Sequence, residues 1–232
     1  MNVKSLTAAI IIATSASASY AQQLDITVTN LTQGMYYTPF LVAAHNADMS
    51  LYTLGEAATS ELQMMAEGGN ITGLSAMLTN ANADMVLNPA GGLLTPAMSF
   101  TTSLDTQDGN MYLSLVSMLL PTNDAFAGVN AWKIPTEAGT YTFTISAYDA
   151  GTEANDEIRG DGAPGIAGMP VPAPLDPLLG TGGTGVTMEV EGYIHVHRGN
   201  LGDDDAVAGK SDVGNTVQRW LNPVARVSVT VN

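Results

Sequence analysis

Thr140-Tyr141-Thr142-Phe143-Thr144-Ile145-Ser146-Ala147 is the stretch whose reading decides the fold. Apolar residues recur at every second position, the period of a strand with one face in a core. Tyr141, Phe143, Ile145 and Ala147 share that face, and Asp149 falls in phase just beyond it. The same period appears at both ends of the chain: Leu24, Ile26 and Val28 near the start, Ala225, Val227, Val229 and Val231 near the close. Between them, Asn110 to Leu120 is apolar at nearly every position, as expected of a central strand covered on both faces. Phe40 to Ala44 reads as a short extended piece, and Val186, Met188, Val190, Ile194 and Val196 as a further core face. Gly, Asn, Asp and Pro separate these runs. The pattern predicts an all-β protein, an antiparallel β-sandwich of about eight strands.

One segment breaks the strand period. Ser60-Glu61-Leu62-Gln63 has the form of a capping box, Leu62, Met65 and Ala66 fall on one helical face, and Gly68-Gly69 ends the run. Leu74, Met77 and Leu78 suggest a second short helix, so a helical insert should tuck against the sheet. Ala154 to Gly185, rich in Gly and Pro, reads as a long surface excursion, and Leu201 to Asn215 as a second one.

Residues 1–21 have the layout of a secretory signal: Lys4, an apolar stretch from Leu6 to Ala13, then small residues before a cut near Ala21. The apolar stretch is too short to span a bilayer, which needs about 20 such residues. The expected mature chain is one domain, 22–232, secreted or periplasmic, with no transmembrane segment. It has no cysteine and so no disulfide. A formal charge of −15 repels phosphate backbones, which sets nucleic acid aside as a partner.

Candidate sites are few. Tyr148-Asp149-Ala150-Gly151-Thr152-Glu153 follows the deciding strand, and Pro121-Thr122-Asn123-Asp124 follows the central one. Carboxylates gathered from these turns would offer the hard oxygens calcium prefers; the alternative is a set of solvated loop acids. The three mature-chain histidines are His45, His195 and His197. His195 and His197 lie two apart, on a face with Glu189, Glu191 and Tyr193. With His45 they are the alternative site, for zinc or copper, in a metal-handling protein or metalloenzyme. The bland counterpart is a polar sheet face. Asp203-Asp204-Asp205 lacks the glycine and glutamate spacing of a helix-loop-helix calcium loop. Asn30-Leu31-Thr32 and Asn70-Ile71-Thr72 match glycosylation acceptors. Nothing signals an activated nucleophile or a phosphate loop, and no enzyme activity is expected.

Four blocks in order resemble the amino-terminal spondin domain family, found in F-spondin and in secreted bacterial proteins. They are Ala44-His45-Asn46 through Met65-Ala66-Glu67-Gly68-Gly69, Leu115 to Gly128, Tyr148 to Glu153, and Asn222-Pro223-Val224-Ala225-Arg226-Val227. The resemblance implies a sandwich akin to calcium-dependent lipid-binding ones, with a calcium ion at loops near one edge. Carried over by position, it implies Asp124, Asp149 and Glu153 as ligands, Glu153 standing where relatives usually carry Asp. It also implies an adhesion or recognition role toward a cell-surface or matrix ligand that the sequence does not specify.

Overall fold

In the computed structural model, residues 21–232 are described; the leader predicted at the start lies, Ala21 apart, outside them. In chain order the elements are β1 (Gln23–Asn30), β2 (Tyr36–Tyr37), β3 (Leu41–His45), α1 (Ser60–Gly68), α2 (Thr72–Asn80), β4 (Asp84–Leu87), β5 (Ser99–Asp105) and β6 (Tyr112–Leu120). There follow β7 (Ala125–Lys133), β8 (Gly139–Asp149), β9 (Arg159–Gly160), β10 (Met169–Pro170), β11 (His195–Val196) and β12 (Ala225–Val231). Eight strands run in the order β4-β3-β6-β7-β8-β12-β1-β5, with β2 added on β6 and β11 on β8. The sheet folds round into a nearly closed, antiparallel sandwich, as the strand periods predict.

Alternation sets the register. Leu24, Ile26 and Val28 of β1 face inward opposite Val231, Val229 and Val227 of β12, and all six are buried. The outward positions carry hydroxyls that bond across the strands: Thr27 to Thr101 and Thr142 to Ser228. A one-residue slip would exchange the two sets, so burial fixes the pairing. Each fully buried Val, Leu or Ile stabilises the fold by about 1.5–3 kcal/mol relative to exposure.

β6 serves two cores. Leu113, Leu115 and Leu119 point into the sandwich, while Val116, Met118 and Leu120 meet a second cluster on the outer side. That cluster includes Leu62, Met65 and Ala66 of α1 and Leu74 and Leu78 of α2, so the helical insert does pack on the sheet. The cap sits one residue earlier than the sequence pattern suggests. Thr59 is the N-cap, its Oγ1 accepting from the Leu62 N–H at 3.2 Å, and Gln63 bonds Glu67 instead of closing a box.

Two expectations need correction. Val186 to Val196 is not a core-facing strand: of the expected face Ile194 is buried, but Met188, Val190 and Val196 are exposed, and only the two residues of β11 pair, with the end of β8. The inner partner there is Asp149, an acid, so the valine alternation finds no apolar face to meet. Nor is Ala154–Gly185 only a surface loop. Asn155, Glu157, Met169 and Leu175 are buried, and the segment is laced to the second excursion through Gly180 N–H to Asp212 O and Asp212 N–H to Glu157 O.

Carboxylates, Glu157 and Asp212 buried among them, hold these loops. Glu157 accepts from the N–H groups of Leu201 and Gly202 and from Ser211 Oγ. Asp212 accepts from Arg159 N–H and Gly183 N–H. Asp203 gathers Asp205, Lys210 and Ser211 N–H groups, which holds its carboxyl below the ordinary value. The acids of Asp203-Asp204-Asp205 therefore begin a bonded turn. Asn30 is likewise committed: it is buried and bonds Met35, Leu94 and Thr32 within the core wall, which removes it as a glycosylation acceptor.

Candidate metal centre

Asp149 is the last residue of β8 and is paired on both sides, with Ala125 of β7 and His195 of β11. Its in-phase position turns the side chain inward, where it is 1% exposed. Oδ1 accepts from Gly151 N–H at 2.8 Å, and Oδ2 from Asn155 Nδ2 at 2.7 Å. Gly151 is required here. Its φ is +67°, and a Cβ would lie 2.3 Å from the Tyr193 carbonyl oxygen, so any side chain would push the 191–195 segment off Asp149.

That segment brings two further candidate ligands. Single atoms of Asp149, Glu191 and His195 all lie within 4.8 Å of one another. Ligands at about 2.0–2.2 Å from a tetrahedral zinc-sized ion stand about 3.3–3.6 Å apart, so the group would close by up to about 1.5 Å on binding one. His195 Nδ1 meets the Val196 carbonyl at 3.1 Å and so carries the proton. Nε2 then offers a lone pair, has no hydrogen-bond partner, and lies 3.7 Å from Asp149 Oδ1. Lone pair faces carboxylate, an arrangement that only a cation or an added proton makes favourable. Glu191 Oε2 is also buried and unpartnered.

Asp124, fully buried at the start of β7, completes the acidic wall. Oδ2 accepts from the N–H groups of Thr152 and Glu153 at 2.8 and 3.1 Å, while Oδ1 has no partner. Burial, followed by the nearby Asp149 charge, raises its carboxyl well above the ordinary value. Close like charges repel by about 1–4 kcal/mol per pair, depending on screening. A cation would remove that cost.

The structure redistributes the residues picked from sequence. Asp124 and Asp149 come together. Glu153 Oε1 accepts from Asn123 Nδ2 and Gly168 N–H, Oε2 is buried without a partner, and burial raises its pKa. Among the described residues, Asp124, Asp149 and Glu153 do not form a group with mutually close ligand atoms; Asp149, Glu191 and His195 do. His45 is separate. It pairs with Tyr112 at the far end of β6, on the order of 20 Å of strand away from the loops, and both ring nitrogens are used, by the Asn46 carbonyl and Ser114 Oγ.

His197 is buried and has no free nitrogen either. Gly199 N–H donates to Nδ1, so Nε2 carries the proton and donates to Asn155 Oδ1 at 2.9 Å. Burial drives its pKa down to about 3, and the ring stays neutral. Its task is support: it fixes the Asn155 amide, whose Nδ2 then reaches Asp149 and, at 3.3 Å, Glu191. Sequence reasoning put Glu191 on the His195 face without making it a ligand, and missed Asn155, which no spacing rule marks.

The Spondin_N family model matches residues 25–159, more than half of the chain. The chain belongs to the Spondin_N family. Members are typically extracellular and the family is in general non-enzymatic, so this is a spondin-like module; no helix among the described residues is long and apolar enough to cross a membrane. The match takes in Asp124, Asp149 and Asn155 and stops short of Glu191, His195 and His197. No curated protein matches the chain.

Proposed function

We propose that this spondin-like module serves extracellular adhesion or recognition, and that a divalent cation centred on Asp149 clamps the loops at one end of its sandwich. The observation that carries this reading is the Asp149–Glu191–His195 group, in which Glu191 Oε2 and His195 Nε2 are buried without partners. Two carboxylates and one imidazole suit an ion of the zinc class better than calcium, which favours an all-oxygen shell. Asp124 Oδ1, buried without a partner near enough to feel the Asp149 charge, is a further candidate oxygen. The ion's role is structural: by binding only the folded loops it stabilises them in proportion to its occupancy.

A calcium reading rests on a different observation. Asp124 and Asp149 supply carboxylate oxygens with Asp124 Oδ1 unpartnered, and calcium can complete its shell with Glu191, backbone carbonyls and water. Melting the metal-stripped mature chain with zinc or calcium added back separates the two. Under the zinc reading, zinc raises Tm in the wild type and not in His195→Ala. Under the calcium reading, calcium raises Tm equally in both proteins and Asp149→Asn removes the effect. Indifference of the wild type to both ions would end the proposal.

A further inference from the structure

A chain of formal charge −15 has few cations to place. Two of them, Arg198 and Arg219, line one open cleft of about 430 Å³ together with Asn200, Leu201, Trp220 and Leu221. No carboxylate lines this cleft, although the chain holds 22 Asp and Glu. Both arginines are exposed and neither makes an ion pair or hydrogen bond among the described residues; Arg159, by contrast, is paired with Asp176. The cleft's other surfaces point the same way. Leu201 and Leu221 are 44% and 81% exposed, and Trp220, 7% exposed, has a buried indole N–H without a partner. The Asn200 amide adds nothing, since it is spent on the Pro121 and Gln218 carbonyls.

We propose that the Arg198–Arg219 cleft binds an acidic segment of a partner polypeptide, taking carboxylates on the two guanidiniums and apolar side chains against Leu201 and Leu221. Guanidinium forks match carboxylates in two parallel hydrogen bonds. Two arginines are too few to hold a nucleic-acid backbone, whose capture needs clustered cations, and they suffice for a short acidic segment. A sugar ring would need an open aromatic face; the Trp220 ring is buried and lies 5.0 Å from the His197 ring. The inference gives the recognition role a site of its own and does not depend on the metal centre.

The test follows the Trp220 indole and the Arg198 and Arg219 side-chain N–H signals by NMR in the mature chain, metal-stripped and metal-loaded in parallel. The probe is a capped tetrapeptide alternating glutamate and leucine; the controls are its glutamine counterpart and inorganic phosphate. Saturable shifts of all three signals are expected with the glutamate peptide, weakened at least tenfold in Arg198→Ala and in Arg219→Ala. Both arginines are exposed and partnerless, so neither variant should change the melt. The glutamine peptide should leave the signals in place. The proposal is overturned if no signal moves, if the glutamine peptide moves them equally, or if phosphate does so as strongly as the peptide. A metal centre that works while the peptide fails would overturn this inference alone.

Discussion

The body of the sandwich and its loop end are built from opposite materials. In β1, β12 and β8, apart from the last residues of β1 and β8 (Asn30 and Asp149), the buried positions are apolar and the polar groups stand outside, where hydroxyls pair across strands. At the loop end Asn123, Asp124, Asp149, Glu157, His197 and Asp212 are all buried, and each is held by hydrogen bonds to backbone N–H groups or to another buried side chain. The first region is stabilised by removing surface from water, which needs no titrating group and no bound ion. The second depends on every polar group keeping its partner and its charge state, because an unsatisfied buried group costs about 1–3 kcal/mol. One molecule thus has a body indifferent to its solution and an end that responds to it.

The largest effect should come from the body. Ile26→Ala empties a fully buried site between β12 and β5 and is expected to cost about 2–5 kcal/mol. Strand and loop probes should shift together in a urea melt; a loss confined to either region would break the comparison.

Next is acid. His197 has a folded pKa of about 3 against an unfolded 6.5, so the unfolded chain binds the extra proton between those values. Its contribution is therefore present above pH 6.5 and lost as pH falls toward 3, by up to about 5 kcal/mol. The metal-free His197→Gln variant should lose less stability than the wild type across that window. Equal slopes would show that the loop end is not pH-sensitive through this residue.

Glu157→Gln keeps the shape but replaces one acceptor oxygen by a donor facing Leu201 N–H, Gly202 N–H or Ser211 Oγ. The cost should be about 1.5–3 kcal/mol and local. Hydrogen exchange at Leu201 and Gly202 should quicken while β1 and β12 amides keep their rates. Smallest is Thr27→Ala on the outer face, where losing the bond to Thr101 should cost about 0.2–1 kcal/mol. A Thr27→Ala penalty as large as that of Glu157→Gln would erase the distinction between polar groups outside and inside.

The same contrast explains what could be read from the chain. Tyr141 to Ala147 and Ala225 to Val231 declare their inward faces because alternation is a local property, and Asp149 in phase with them was legible as an inward acid. The loop end has no period. Val186 to Val196 alternates like a core strand, yet Val196 is exposed and His197 buried, since the partner face is set by Asp149 of a distant strand. Glu153 reads as a third ligand by spacing, but nothing in the spacing shows that its backbone N–H serves Asp124 while one carboxylate oxygen serves Gly168 and the other is buried without a partner. Asn155 could not be singled out at all. Its importance lies in two contacts, to Asp149 and His197, that exist only after folding.

The central claim is a divalent cation held by Asp149, Glu191 and His195, and metal titration calorimetry on the stripped mature chain tests it most directly. One zinc-class ion per chain, with affinity falling at least tenfold in both His195→Ala and Glu191→Gln, is the predicted result. Stoichiometric binding that both substitutions leave untouched, or no binding at all, would contradict it.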